Sequence, residues 1–101
     1  MRILATAELF HSHTDRDGNR YCALRVTNNE TGTVACTHVP GGAGNGQGML
    51  RRIFGPQWYS RVHLIAHETA KRDYQRLIAG WPCLDVAAFS HALGVPMAAA
   101  R

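Results

Sequence analysis

The first forty residues alternate apolar and polar side chains in short runs, and turn-forming residues separate the runs. Residues 3–14 are followed by Asp17-Gly18 and then Asn, and this combination is a strong signal for a hairpin turn. Residues 21–27 alternate again, and a polar turn at 28–32 separates them from a β-branched run at 33–39. The pattern predicts a three-stranded antiparallel meander.

The spacing of apolar positions changes after position 40. Residues 47–54 have a helical pattern, and Gly55-Pro56 would end that helix. The apolar positions of residues 59–67 fit either a helix or a strand. Aromatic and β-branched residues are frequent there, so we predict a fourth strand.

Two further helices are predicted near the C-terminus. Thr69 is the expected N-cap of a helix over residues 70–79. Asp85 is the expected N-cap of a helix over residues 86–93, which Gly94 would end. The chain is then a single α+β domain over residues 1–101 in the order β-β-β-α-β-α-α. We expect an antiparallel sheet with the helices packed on one face.

Composition and cysteine usage restrict the cellular compartment in which this domain is expected. No apolar run approaches the roughly 18–20 residues that span a bilayer, and the N-terminus lacks a signal-peptide pattern. Three cysteines, Cys22, Cys36 and Cys83, are an odd number and form no C-x-x-C motif, which is typical of free thiols. We therefore expect a cytoplasmic protein without membrane contact.

The chain is basic, with a formal net charge of +4. All of its basic residues except Lys71 are arginine, whose planar fork suits phosphate and carboxylate groups. The excess charge favours an anionic partner.

A glycine-rich segment, residues 39–50, connects the meander to the first predicted helix. A flexible loop at a helix N-terminus presents free N–H groups to an anion. This favours an anion-binding site, although no Walker-type Gly-Lys-Ser/Thr follows, and a simple connection or a partner-contact loop is the alternative. The residues of the hypothetical site are Gly44, Gly46, Gly48, Arg51 and Arg52.

A second hypothesis is a nucleic-acid-binding surface that interleaves basic and aromatic side chains. Phosphate contacts of this kind give affinity without sequence choice. A solvated helix face is the alternative, because three of the basic residues follow helical spacing. The basic residues are Arg61, Lys71, Arg72 and Arg76, with Tyr59 and Tyr74 nearby.

Histidines and a cysteine of the meander raise the question of a metal site. If Asp17-Gly18 forms a two-residue turn, His13 faces Cys22, with His11 nearby on the same face. In one register of the second hairpin Cys22 also faces His38, which gives a row with zinc-like spacing. A slip of one residue in that hairpin would dissolve the row, and we predict no metal and no cofactor.

No arrangement of residues indicates catalysis. There is no nucleophile-elbow motif, and the seven carboxylates are scattered along the chain. His63 and His67 share a face if they lie on a strand, but about 13 Å would separate them, too far for one ion. We predict no catalytic residue and a protein that is not an enzyme.

Three short motifs resemble a group of small phage and prophage-encoded proteins of uncharacterised function. They are Gly18-Asn19-Arg20-Tyr21 at the start of a strand, Gly44-Asn45-Gly46 before a helix, and Lys71-Arg72-Asp73-Tyr74 after a late strand. The group has Tyr-Gly-Tyr-Gly in its loop, whereas this chain has no tyrosine there. The resemblance implies that the protein is present in the cytosol of a host cell during infection or lysogeny and has an accessory role there.

Three hypotheses of function follow. The first is a non-enzymatic accessory protein that binds a protein or nucleoprotein partner, and the resemblance suggests inhibition of a host nucleic-acid or defence complex. The second is the nucleic-acid-binding module with its arginine-rich face. The third is a nucleotide- or metal-dependent enzyme built around the glycine-rich loop. A homodimer through an exposed strand edge, or through the region of Trp58 and Trp81, is a further hypothesis.

Overall fold

The computed structural model describes residues 2–12, 22–39 and 43–98. Within these residues the chain forms a four-stranded sheet and three helices, so the α+β class is confirmed. A short 3-10 turn at Trp58–Ser60, which was not predicted, precedes the fourth strand. The elements are β1 (Ala5–Ser12), β2 (Cys22–Asn28), β3 (Val34–Val39), α1 (Ala43–Phe54), β4 (Val62–Thr69), α2 (Lys71–Leu77) and α3 (Val86–Leu93). None of the described helices is long and apolar enough to cross a bilayer.

The sheet is mixed, and the prediction of an antiparallel sheet was wrong for its fourth strand. The strand order is β3-β2-β1-β4, with β1, β2 and β3 forming the predicted antiparallel meander. β4 pairs with β1 in parallel. The reason is the length of α1: its twelve residues span about 18 Å. A helix of this length carries the chain back to the starting end of the sheet, so the next strand runs parallel to β1.

Helices cover both faces of the sheet, which corrects the prediction of one covered face. Neighbouring residues on a strand point to opposite faces. Leu9 accordingly joins the main core with α1 and α3, whereas Phe10 joins a smaller core with Tyr74 and Ile78 from α2 and the turn after it. The largest fully buried side chains of the main core include Phe89, Leu9, Leu24, Leu50, Ile53 and Leu93.

Helix α1 begins at Ala43 rather than at position 47, so the predicted glycine loop is largely helical. Gly46 is buried where α1 crosses the sheet. A Cβ atom at Gly46 would lie 2.7 Å from Leu9 Cδ1 and 3.4 Å from Cys22 Sγ. Glycine is unfavourable within a helix, but here it lets the helix backbone approach the strands closely. Tertiary packing therefore outweighs local preference.

The final helix follows its sequence signals closely. α3 occupies the predicted residues, and the Asp85 carboxylate accepts a hydrogen bond from the Ala88 N–H at 2.7 Å. Gly94 ends the helix with φ = 76°, a left-handed conformation that glycine adopts without strain. The prediction of this helix and both of its caps is confirmed.

The boundaries around β4 differ from the prediction. The strand is confirmed, but it covers Val62–Thr69 because the 3-10 turn occupies the residues before it. Ala70 rather than Thr69 is the N-cap of α2, since Thr69 still belongs to the strand. The Ala70 side chain makes no capping hydrogen bond.

The close approach at Gly46 can be tested against a second glycine of the same helix. A Cβ atom at Gly48 would meet no atom within 4 Å, so we expect Gly48→Ala to raise the free energy of unfolding by about 0.5–1 kcal/mol. Gly46→Ala gains the same helix preference but collides with buried Leu9. We expect it to be less stable than Gly48→Ala by about 1–3 kcal/mol in urea denaturation. Equal stabilisation by both substitutions would contradict this packing.

Candidate functional site

The residues of the predicted anion site all lie on α1, but at different positions along the helix axis. Gly44, Gly46 and Gly48 are in its first half, and Arg51 and Arg52 are exposed in its last turn. Arg51 stands about 12 Å along the axis from the first residue of α1, at a rise of 1.5 Å per residue. The structure therefore does not bring the two arginines to the N-terminal end of the helix.

The predicted basic surface is divided between the two ends of β4. Arg61 immediately precedes β4, whereas Lys71, Arg72 and Arg76 belong to α2, after it. A strand of eight residues is about 26 Å long, so Arg61 is remote from the other three. Tyr74 is buried in the smaller core and cannot interleave with surface cations. Arg72 and Arg76 remain as neighbouring exposed cations, one helical turn apart.

The observed strand registers do not place Cys22 opposite either His13 or His38, so the row of possible zinc ligands is not formed. β1 pairs His11, not His13, with Cys22, and residue 13 and the predicted Asp17-Gly18 turn lie outside the described residues. β2 pairs Ala23 with His38, so His38 is on the opposite face from Cys22. The described residues contain no group of three metal-binding side chains.

A charged cluster that the sequence pattern does not reveal lies on the face of the sheet opposite α1. Arg25 donates from Nε to Glu8 Oε1 at 2.9 Å and from its NH2 group to Glu8 Oε2 at 3.1 Å. His67 Nε2 lies 3.4 Å from Glu8 Oε2, and the His67 ring stacks on Phe10 with ring centroids 4.9 Å apart. The cluster joins β1, β2 and β4. Glu8 and Arg25 face each other across one strand pair, so the correct register of the hairpin would have revealed them.

Arg25 determines the electrostatics of this cluster. Its hydrogen bond to Glu8, followed by its charge and that of His67, keeps the pKa of Glu8 below the ordinary value of 4.5, although burial opposes the shift. Both carboxylate oxygens already accept hydrogen bonds from the Arg25 guanidinium. Glu8 therefore stabilises the sheet and does not present a free carboxylate.

The outer edge of β3 is partly covered by the segment before α3. The His38 N–H donates to the Pro82 carbonyl at 2.8 Å. Close by, the Leu84 N–H donates to Thr37 Oγ1 at 2.7 Å. The first bond occupies an outward backbone N–H of β3 that would otherwise face solvent, and the second holds the same segment against the Thr37 side chain.

The outer edge of β4 has no such cover among the described residues. The Arg61 carbonyl accepts from the Leu4 N–H at 2.7 Å, so Arg61 and every second residue after it direct their backbone groups toward β1. Leu64 and Ala66 consequently direct their N–H and carbonyl groups outward. No described residue pairs with these groups, so they are available to a further strand.

Apolar side chains flank this open edge. Tyr59 is 68% exposed, Ile3 43% and Ile65 38%, although all three are large and hydrophobic. A shallow groove of about 470 Å³ runs beside the edge and is lined by Ile3, Trp58, Tyr59, Val62, His63 and Leu64. We call β4 together with Ile3, Trp58 and Tyr59 the β4 edge surface. Exposed apolar groups next to unpaired backbone groups are typical of a site for a protein partner.

The two tryptophans of the homodimer hypothesis lie in different places. Trp58 belongs to the β4 edge surface, where its ring meets Tyr59 edge-to-face at 6.3 Å. Trp81 packs against Phe10 at 6.1 Å in the smaller core. The two side chains therefore do not form one surface.

Comparison of the chain with protein-family models, with curated proteins and with solved structures finds no match. The three motifs of the phage-protein resemblance fall in different settings: residues 18–21 lie outside the described residues, Gly44-Asn45-Gly46 is in α1, and residues 71–74 open α2. The geometry of the chain itself is thus the basis for assigning a function.

The Glu8 cluster gives a pH-dependent prediction. Because the pKa of Glu8 is lower in the folded than in the unfolded chain, the cluster stabilises the fold above the ordinary glutamate pKa. This contribution is lost as the pH falls through the lowered value. We expect Glu8→Gln to reduce the free energy of unfolding by about 0.5–1 kcal/mol at pH 7, and the difference from wild type to shrink below about pH 4.

Urea denaturation between pH 3 and pH 7 measures this effect. Glu30→Gln, in the exposed turn after β2, is the control and should leave the pH profile of the wild type unchanged. A Glu8→Gln variant whose deficit is constant over the whole range would contradict the assigned ion pair.

Proposed function

We propose that the protein is a non-enzymatic binding module that contacts a protein partner through the β4 edge surface. The observation that supports it is an eight-residue edge strand with outward backbone groups at Leu64 and Ala66 and exposed Ile65 and Tyr59 beside them. An added strand would pair with those backbone groups, while the side chains on either face select the partner.

The energetics of such contact follow from the two kinds of group on this surface. On binding, the outward main-chain groups replace hydrogen bonds to water by hydrogen bonds to the partner, and each replacement contributes a modest net free energy. Burial of the exposed Tyr59 and Ile65 adds a larger, non-directional gain, and aromatic residues are frequent at the centres of interfaces. The two contributions together favour an extended protein segment as the partner.

The phage-protein resemblance adds a biological setting to this proposal. A module that occupies a strand-binding site on a host nucleic-acid or defence complex would act as an inhibitor without any chemistry of its own. We assign no catalytic residue. Burial raises the pKa of the Cys22 thiol to about 11, so it is protonated near neutral pH and unsuited to nucleophilic attack.

The β4 edge surface can be tested by removing one outward N–H group. Ala66→Pro deletes the outward donor of an edge residue, a substitution that edge strands tolerate. We expect it to abolish co-purification of the protein partner with an affinity-tagged chain from host cells that also express an untagged copy, while the thermal unfolding temperature stays close to that of the wild type. In the wild-type complex, the amides of Leu64 and Ala66 should become protected from hydrogen exchange.

The matched control introduces proline at the other edge of the sheet. Val34→Pro, at the exposed start of β3, should retain the partner. If both proline variants bind equally well and the amides of Leu64 and Ala66 stay unprotected, the β4 edge surface is not the binding site.

A second candidate function is nucleic-acid binding through α2. The supporting observation is the exposed pair Arg72 and Arg76, one turn apart in a chain of net charge +4. Phosphate contacts of this kind weaken steeply with salt. We expect the wild type to bind a short single-stranded DNA at 50 mM salt and to release it at 200 mM. The double variant Arg72→Gln and Arg76→Gln should not bind at either concentration.

Mobility-shift titration measures this binding. Arg51→Gln with Arg52→Gln, on the exposed last turn of α1, removes the same charge elsewhere and serves as the control. Absence of a shift at 50 mM salt, or equal loss in both double variants, would remove α2 as a specific nucleic-acid contact.

A further inference from the structure

The β4 edge is complementary to a second copy of itself. In an antiparallel pair, residues with outward backbone groups must face residues of the same kind. A register centred on Ile65 meets this condition, because it places Leu64 of one copy opposite Ala66 of the other. Each such pair exchanges both of its hydrogen bonds, and two-fold symmetry repeats the pair.

The side chains of this register are compatible across the two-fold axis. Ile65 meets Ile65 of the second copy in a non-hydrogen-bonded pair, where Cα atoms are about 4.5 Å apart and side chains touch. His63 lies opposite His67 on either side of this apolar centre. Ile65 is 38% exposed in the single chain, so pairing removes apolar surface from water.

Nothing within β4 guards the edge against regular pairing. The strand contains no proline and no lysine, and its ladder with β1 runs without a bulge from Ala5↔Val62 to Ser12↔Thr69. Edge strands of monomeric proteins commonly carry such protective features. The end of β3, by contrast, is covered by the segment that accepts from the His38 N–H at Pro82 and donates from the Leu84 N–H to Thr37.

The charge distribution also permits self-association. Glu68 is the only acidic residue in β4, which has no lysine or arginine, so the excess of positive charge lies outside the paired strands.

From these observations we infer that the partner of the β4 edge surface is a second copy of this chain, joined by antiparallel β4–β4 pairing centred on Ile65. The inference rests on the proposed binding role of that surface and specifies its occupant. Two four-stranded sheets then become one continuous sheet across the two-fold axis.

Sedimentation velocity of the purified chain over a concentration series tests the inference. We expect a wild-type dimer, and Ile65→Lys should raise the dimer Kd by tenfold or more, because it exchanges an apolar contact for two facing ammonium groups. Val34→Lys is the control: it changes an exposed aliphatic residue on the same face of the sheet but at the opposite edge. It should dimerise like the wild type.

A disulfide cross-link tests the register independently of how much the lysine variant perturbs folding. The Cα separation of a non-hydrogen-bonded pair suits a disulfide. In a chain whose exposed Cys83 is replaced by serine, Ile65→Cys should form a covalent dimer under mild oxidation. Val34→Cys in the same background should stay monomeric on a non-reducing gel.

The outcomes separate this inference from the proposed function. A β4-dependent dimer with the Ile65→Cys cross-link supports both. A chain that stays monomeric but captures another protein, and loses it on Ala66→Pro, overturns the inference and leaves the proposed function standing. A dimer that Ile65→Lys does not weaken overturns the β4 pairing. A monomer with no β4-dependent capture overturns both proposals.

Discussion

The structure depends on the burial of two adjacent side chains of β1 on opposite faces of the sheet. Leu9 is 2% exposed beneath α1, and Phe10 is 6% exposed beneath α2 and Trp81. A strand that buries both faces belongs inside a sheet and needs a neighbour on each side. The hairpin supplies β2, and the crossover through α1 supplies β4. The sheet order and the placement of helices on both faces follow from this single requirement.

The same requirement explains the glycine-rich segment. To bury Leu9, α1 has to lie close to β1 and β2, and Gly46 makes that distance attainable because a Cβ atom would stand 2.7 Å from Leu9 Cδ1. The glycines that suggested a flexible anion-binding loop are therefore part of a helix. Helix formation against an unfavourable local preference is a consequence of packing, which supplies the free energy that the glycines lack.

An asymmetry between the two sheet edges connects the fold to its proposed function. The segment before α3 covers the end of β3 because the chain must pass there on its way to the main core. β4 is the other outer strand, and no later part of the described chain returns to its edge. The surface offered to a partner is thus the place where the fold itself ends its hydrogen-bonded ladder, with Tyr59 and Ile65 exposed beside it.

The sequence by itself determined the features that depend on near neighbours: the meander, the turn at positions 28–32, α3 with Asp85 and Gly94 as caps, and a fourth strand in the right region. It also named a strand edge and Trp58 as part of a contact surface, but it did not single out Leu64, Ile65 or Ala66. The tertiary structure alone decided the start of α1, the hairpin registers, the parallel direction of β4 and the face that α2 covers. Those features depend on contacts between residues that are distant along the chain, such as Leu9 with Gly46 or Glu8 with Arg25. Local preference carries no information about which distant groups will meet, because the free energy that selects them comes from burial and pairing in the assembled sheet.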